Sequence, residues 1–170
     1  MTALKYLAGY APELQQRVQA MIDQNTLNAF LQQKHPKMHE IRSDAALREY
    51  VVGLKNQHMK KSGPLSKVAY DNKIHVIHNA LGTHHYVSRV QGGKLKAKNE
   101  IRISTVFKTC PIDFLKMIVV HELAHLKERD HNKAFYNLCE NMLPGYHQTE
   151  FEMRLYLTQR ELDQQKTGNE

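Results

Sequence analysis

Two cysteines, Cys110 and Cys139, are too few for a disulfide framework or a four-cysteine zinc ribbon. No apolar run approaches the roughly 18 residues of a transmembrane helix. The first ten residues, Met1 to Tyr10, have neither the charged leader nor the apolar stretch of a signal peptide. A cytoplasmic, reduced protein away from membranes is therefore expected. The chain also lacks a glycine-rich phosphate loop and an acidic two-metal cluster. It has no zinc finger, recognition-helix signature or aromatic-basic interleaving for nucleic acid. No internal repeat or low-complexity linker divides it, and 170 residues suffice for one domain with its own core.

Charge of both signs is present but unevenly placed. The net charge is +7, and residues 66–108 carry eight bases against two acids. Residues 111–170 carry seven bases against ten acids. A basic middle segment can attract nucleotides, nucleic acid or acidic peptides, or can simply be a solvated face.

The chemistry sits in that acidic last third. His121-Glu122-Leu123-Ala124-His125 closes an apolar run, Phe114 to Val120, that is broken only by Lys116. On a helix, residues four apart share a face, so His121 and His125 can hold one metal ion. Glu122 is offset from His121 by about 100° around the axis, beside the ion's open position, where a carboxylate can take a proton from water. A helix that is apolar on nearly all sides is a buried one. Two histidines at its end need partners there, since buried polar groups must be satisfied. The pattern predicts a zinc-dependent hydrolase with one ion per chain.

Three protein ligands plus water is the catalytic arrangement, and two candidates compete for the third place. His131 follows His125 by six residues, a spacing that on a continuous helix turns it about 240° away. It reaches the metal only if the helix ends between Leu126 and Asp130. The metzincin pattern has this spacing with glycine at the turn; here that position is Glu128. Asp130 and Asn132 suit a turn and the cap of a following helix. The rival is a glutamate from a later helix, with Glu140, Glu150 and Glu152 as candidates.

Along the chain, Pro12 opens a helical stretch that runs to His35-Pro36, and Ser43 can cap a second helix bearing Leu47, Tyr50, Val51 and Leu54. Val68–Tyr70 and Ile74–Ile77 read as a hairpin about Asp71-Asn72. Tyr86–Val90 and Glu100–Ser104 read as a second strand pair. The motif helix spans about Pro111–Leu126, a further helix Lys133–Met142, and a last one about His147–Leu162 after the break at Pro144-Gly145. The fold class expected is α+β and zincin-like. N-terminal helices occupy 1–65, a small, mainly antiparallel sheet 66–108, the buried motif helix and C-terminal helices 109–163, and a frayed tail 164–170. In that plan Ile101–Ser104 is placed to form the rim of the cleft or to lie inside the sheet.

Ser88 to Leu157 resembles the YgjP-like metallopeptidase family, zincins related to SprT-type and WLM-type proteins. The residues carrying the likeness are Ile118 to Glu128, Asp130 to Tyr136 and Leu143-Pro144-Gly145-Tyr146. Many members have an Arg-Trp-Gly-Ser-Cys-type segment before the strand preceding the motif; this chain has no tryptophan. The resemblance implies a zinc-binding fold with His121, His125 and His131 as ligands and Glu122 as the acid/base. It leaves the substrate open. A peptidase acting on extended peptides or proteins is the first expectation. A nucleoside triphosphate pyrophosphatase, a kind of assignment given to members of the family, is the second. A nucleic-acid-associated SprT-like module is the third.

Other residues are candidates for contacts with substrate or transition state. Tyr146 and His147 follow the Pro144-Gly145 break and can offer a phenol or an imidazole. Arg89 and Arg102 can bind a carboxylate or phosphate bidentately. His84-His85 lie in the strand region, where at most one can face the site. Cys139 reads as a small core residue.

Overall fold

The computed structural model describes residues 4–74, 89–91, 94–96 and 99–169, with the backbone alone at 89–91 and 94–96. Three helices come first: α1 (Pro12–Asp23), α2 (Leu27–Lys34) and α3 (Asp44–His58). Pro12 starts α1 at a position where its missing N–H is not needed. The stretch from Pro12 to His35 breaks at Asn25, whose φ of 59° is left-handed and ends α1. Ser43 caps α3 as expected, its Oγ accepting from the Ala46 N–H at 3.0 Å.

Among the described residues four strands follow: β1 (Lys67–Asp71), β2 (Arg89–Gln91), β3 (Lys94–Lys96) and β4 (Glu100–Ser104). The mainly antiparallel sheet expected from the sequence is corrected here. β1 and β4 pair in parallel, from Lys67 opposite Glu100 to Asp71 opposite Ser104. The antiparallel pair is β2 with β3, with Arg89 opposite Lys96. Thus, among the described residues, Glu100–Ser104 pairs with β1, and the stretch around Val90 pairs with β3. Parallel pairing needs a crossover of about a dozen residues or more, and residues 72–99 supply the length. The Asp71 turn exists, with Oδ1 accepting from the Lys73 N–H at 2.8 Å, yet the partner of β1 lies far along the chain. Residues 75–77 of the expected hairpin and His84-His85 lie outside the described residues.

Three more helices complete the chain: α4 (Ile112–Ala124), α5 (Lys133–Met142) and α6 (Tyr146–Thr167). α4 is the axis of the core, with Phe114, Leu115, Met117, Ile118, Val119, Val120, Leu123 and Ala124 all buried. It packs against α3, β4, α5 and α6, and each large apolar side chain buried there contributes about 1.5–3 kcal/mol. Ile101 and Ile103 of β4 join the same core. Cys110 and Cys139 are free and fully buried, and burial pushes both thiols up to about 12. The expected frayed tail is helical as far as Thr167, held by good helix formers and contacts such as Gln159 Nε2 to Asp163 at 2.9 Å. Among the described residues no helix is long and apolar enough to cross a membrane.

A polar joint, buried at His35 and Glu152 and open to solvent at Lys34 and Asp113, ties the first helices to the last. His35, just past α2, sets Nδ1 at 2.6 Å from Asp113 Oδ2 and Nε2 at 3.0 Å from Glu152 Oε1. Lys34 reaches the other Glu152 oxygen at 2.7 Å. Burial works against the Glu152 charge, but hydrogen bonds from Lys34, His35 and Gln148 hold its carboxyl below the usual glutamate range. That contribution is present above the ordinary glutamate pKa and is lost as pH falls through the depressed value. His35→Ala takes from the buried Glu152 one of its three donors and is expected to cost about 1–3 kcal/mol. Urea unfolding at neutral pH checks this, and an unchanged midpoint would show that the joint is not stabilising.

Candidate metal centre

His121 lies in the last turn of α4 and His125 immediately past its end, in right-handed helical conformation. The helix then stops without glycine or proline, and the hydrogen bonds show how. Leu126 N bonds Leu123 O and Lys127 N bonds Ala124 O, at 3.0 and 3.1 Å, a tightening typical of a last turn. The His125 ring donates from Nδ1 to the Glu128 carbonyl at 2.8 Å. Asn132 then starts α5, its Oδ1 accepting from the Phe135 N–H at 2.8 Å while its Nδ2 donates to Glu128 at 3.2 Å. Among the described residues Asn25 is the sole non-glycine with positive φ. Glu128 therefore needs none of glycine's freedom.

This turn brings His131 back to the helix end. The three Nε2 atoms form a near-equilateral triangle: His121 to His125 3.1 Å, His125 to His131 3.2 Å, and His131 to His121 3.3 Å. Two nitrogens each about 2.0–2.1 Å from one tetrahedral ion lie about 3.3–3.4 Å apart, so the triangle fits such an ion. His121 turns Nδ1 toward the Tyr146 hydroxyl at 2.7 Å. With the Nδ1 hydrogens of His121 and His125 directed outward, as these hydrogen bonds assign them, both Nε2 lone pairs point to one place. A cation satisfies that arrangement and a packed apolar group does not. Burial lowers the His131 pKa against the pull of Asp130, which favours the neutral ring that binds metals.

Phe135, fully buried, is the floor of the site. Its ring stacks on His125 at 4.3 Å and meets His121 and His131 edge-on at 5.0 and 4.9 Å. Nothing in the sequence reading gave Phe135 a role, although the Asn132 cap sets it in the first turn of α5. Glu122, next to His121 in the chain, is half-buried, and burial pushes its carboxyl up to about 7. A cation between the imidazoles would draw it down again by direct attraction.

The other candidates are placed differently. None of the three glutamates belongs to the metal-capable group, which comprises His121, His125 and His131. Glu140 accepts from the Gly145 N–H at 3.0 Å, Glu150 pairs with Arg154 at 3.0 Å, and Glu152 is held by Lys34 and His35. Tyr146, one of the candidates for a contact with substrate or transition state, is fully buried with its hydroxyl on His121. His147 is exposed, its ring 4.8 Å from that of Tyr136. Arg102 is engaged by Asp71 at 2.9 Å and Glu100 at 3.3 Å, so its charge is already matched. The Arg89 side chain lies outside the described residues. Two further buried histidines serve the fold: His35 in its joint, and His39, which contacts the Phe107 carbonyl at 2.7 Å.

Comparison with known proteins gives the family. Residues 69–156 match the model of the YgjP-like, metallopeptidase domain. A relative named UTP pyrophosphatase, from Escherichia coli (strain K12), is 55% identical over 166 residues, covering 98% of this chain and 99% of that protein. No solved structure matches the chain. The chain belongs to the YgjP-like metallopeptidase family, and it is a hydrolase with a histidine group able to hold a metal ion.

If the triangle is the metal site, the purified chain carries about one ion, and His121→Ala or His125→Ala abolishes it. His131→Ala is expected to weaken binding by orders of magnitude, because two ligands remain of three. Elemental analysis and competitive metal titration check this; full metal content in the first two variants would refute the site.

Proposed function

We propose that this member of the YgjP-like metallopeptidase family is a zinc-dependent hydrolase of nucleoside triphosphates, with UTP as the first substrate to test. The observation carrying this reading is the 55% identity, over nearly the whole of both chains, to a protein named UTP pyrophosphatase. His121, His125 and His131 would hold the zinc. A zinc ion acts as a Lewis acid on the scissile group and brings the acidity of water to near neutral pH. Glu122 would accept the proton of the attacking water. The electrons of that water form a new bond to phosphorus, the bridging P–O bond breaks, and cleavage between the α- and β-phosphates yields UMP and pyrophosphate.

The charge of the middle of the chain suits an anionic substrate. Residues 66–108 hold eight bases against two acids, and Lys67 and Lys73 are exposed at either end of β1. A positive field of this kind raises the local concentration of a triphosphate. Peptide hydrolysis is the second reading, favoured by the family's description and by the His121-Glu122-x-x-His125 pattern.

The zinc-loaded protein, offered a panel of nucleoside triphosphates and a denatured-protein mixture, separates the two. UTP turnover to UMP and pyrophosphate is expected. Glu122→Gln, nearly isosteric but unable to accept the proton, is expected to keep the zinc and lose about 100-fold or more in rate. Peptide release without nucleotide turnover would replace the first reading by the second. Undiminished activity in Glu122→Gln would remove Glu122 from the chemistry.

A further inference from the structure

His121 and His125 each have a polar group behind the ring, and the two groups differ in origin. His125 turns Nδ1 to the Glu128 carbonyl, which its own helix end supplies three residues on. His121 turns Nδ1 to a side chain 25 residues away, the Tyr146 hydroxyl at 2.7 Å. The His121 and Tyr146 ring centroids are 6.4 Å apart and the ring planes 21° from parallel. With 2.7 Å between the polar atoms, that separation lays the two rings end to end. The hydroxyl therefore lies along the direction of an Nδ1–H, the favoured alignment of a hydrogen bond.

Tyr146 is held in place independently of His121. It opens α6 directly after Gly145, whose φ of 80° is left-handed, a conformation glycine adopts without strain. The Glu140 carboxylate of α5 accepts from the Gly145 N–H at 3.0 Å and fixes that turn. The phenol is fully buried and His121 is 7% exposed, so water is poorly placed to replace the hydroxyl if it is lost.

An imidazole can turn by about 180° about Cβ–Cγ, which puts Cε1 in place of Nε2 and Cδ2 in place of Nδ1. A turned ring would offer carbon both to the other imidazoles and to the phenol. The Tyr146 hydroxyl penalises that orientation. We propose that Tyr146 is a positioning residue for the metal centre, acting on His121. Its hydroxyl accepts from Nδ1–H, selects the ring orientation and tautomer that present Nε2, and makes that nitrogen a better ligand. This rests on reading the three histidines as a metal site, and it is independent of which substrate is hydrolysed.

Zinc competition between the full chain and a chromogenic chelator tests the role without any activity assay. Tyr146→Phe removes the hydroxyl alone and is expected to weaken zinc binding by about 10- to 100-fold. Tyr136→Phe loses the same group from a ring 6.3 Å from that of Tyr146 and is expected to bind as wild type. A hydroxyl that serves only the fold would lower the urea midpoint of the zinc-free protein and leave the affinity unchanged. That result, or equal losses of affinity in both variants, would overturn the proposal while leaving the metal site intact. NMR of the zinc-loaded wild-type chain with isotopically labelled histidine needs no folded variant. His121 is expected to bind through Nε2 and to carry a slowly exchanging proton on Nδ1. Zinc bound to His121 through Nδ1 would overturn the proposal alone. A wild-type chain that binds no zinc would overturn both the proposal and the metal site.

Discussion

A single α-helix can bring two imidazoles four residues apart to one point, but not a third six residues further on. The site therefore depends on where α4 stops. Its end at Ala124 turns the chain through Glu128 and Asp130 so that three Nε2 atoms come within 3.1 to 3.3 Å of one another. The stop is made by polar contacts: the His125 ring on the Glu128 carbonyl, and Asn132 bridging the Glu128 carboxylate and the Phe135 amide. His125 is thus both part of the triad and part of the device that shapes it. Each contact spares the backbone a left-handed residue.

The rest of the fold keeps that turn in place. α4 is buried along almost its whole length, so its end cannot shift without disturbing contacts to α3, β4, α5 and α6. Phe135 supports the imidazoles from α5, and Tyr146 holds His121 from the first residue of α6. At the other end of α4, Asp113 and Glu152 share His35. The helix that carries the chemistry is pinned near both ends by polar groups and along its middle by apolar ones.

Local signals were legible in the sequence. The apolar run marked α4 as buried, Ser43 and Asn132 announced the caps of α3 and α5, and α5 falls on Lys133–Met142 as its pattern indicates. Non-local features were not. Nothing in Val68–Tyr70 says that its partner is Glu100–Ser104 in parallel, because strand pairing is settled by burial across the whole core. The Asn25 break was obscured by helical spacing that continues on both sides of it. Tyr146 looked free to reach a substrate because it follows Pro144-Gly145. The left-handed Gly145 turns it inward, where its hydroxyl meets His121.

The proximity of three imidazole nitrogens accounts for the buried histidines, the unusual helix end and the half-buried Glu122 next to His121 in the chain. X-ray absorption at the zinc edge of the loaded protein tests it most directly. Three imidazole nitrogens at about 2.0–2.1 Å from the ion are the expected result. A zinc shell with two imidazoles and a protein carboxylate, or with none of these histidines, would contradict the account.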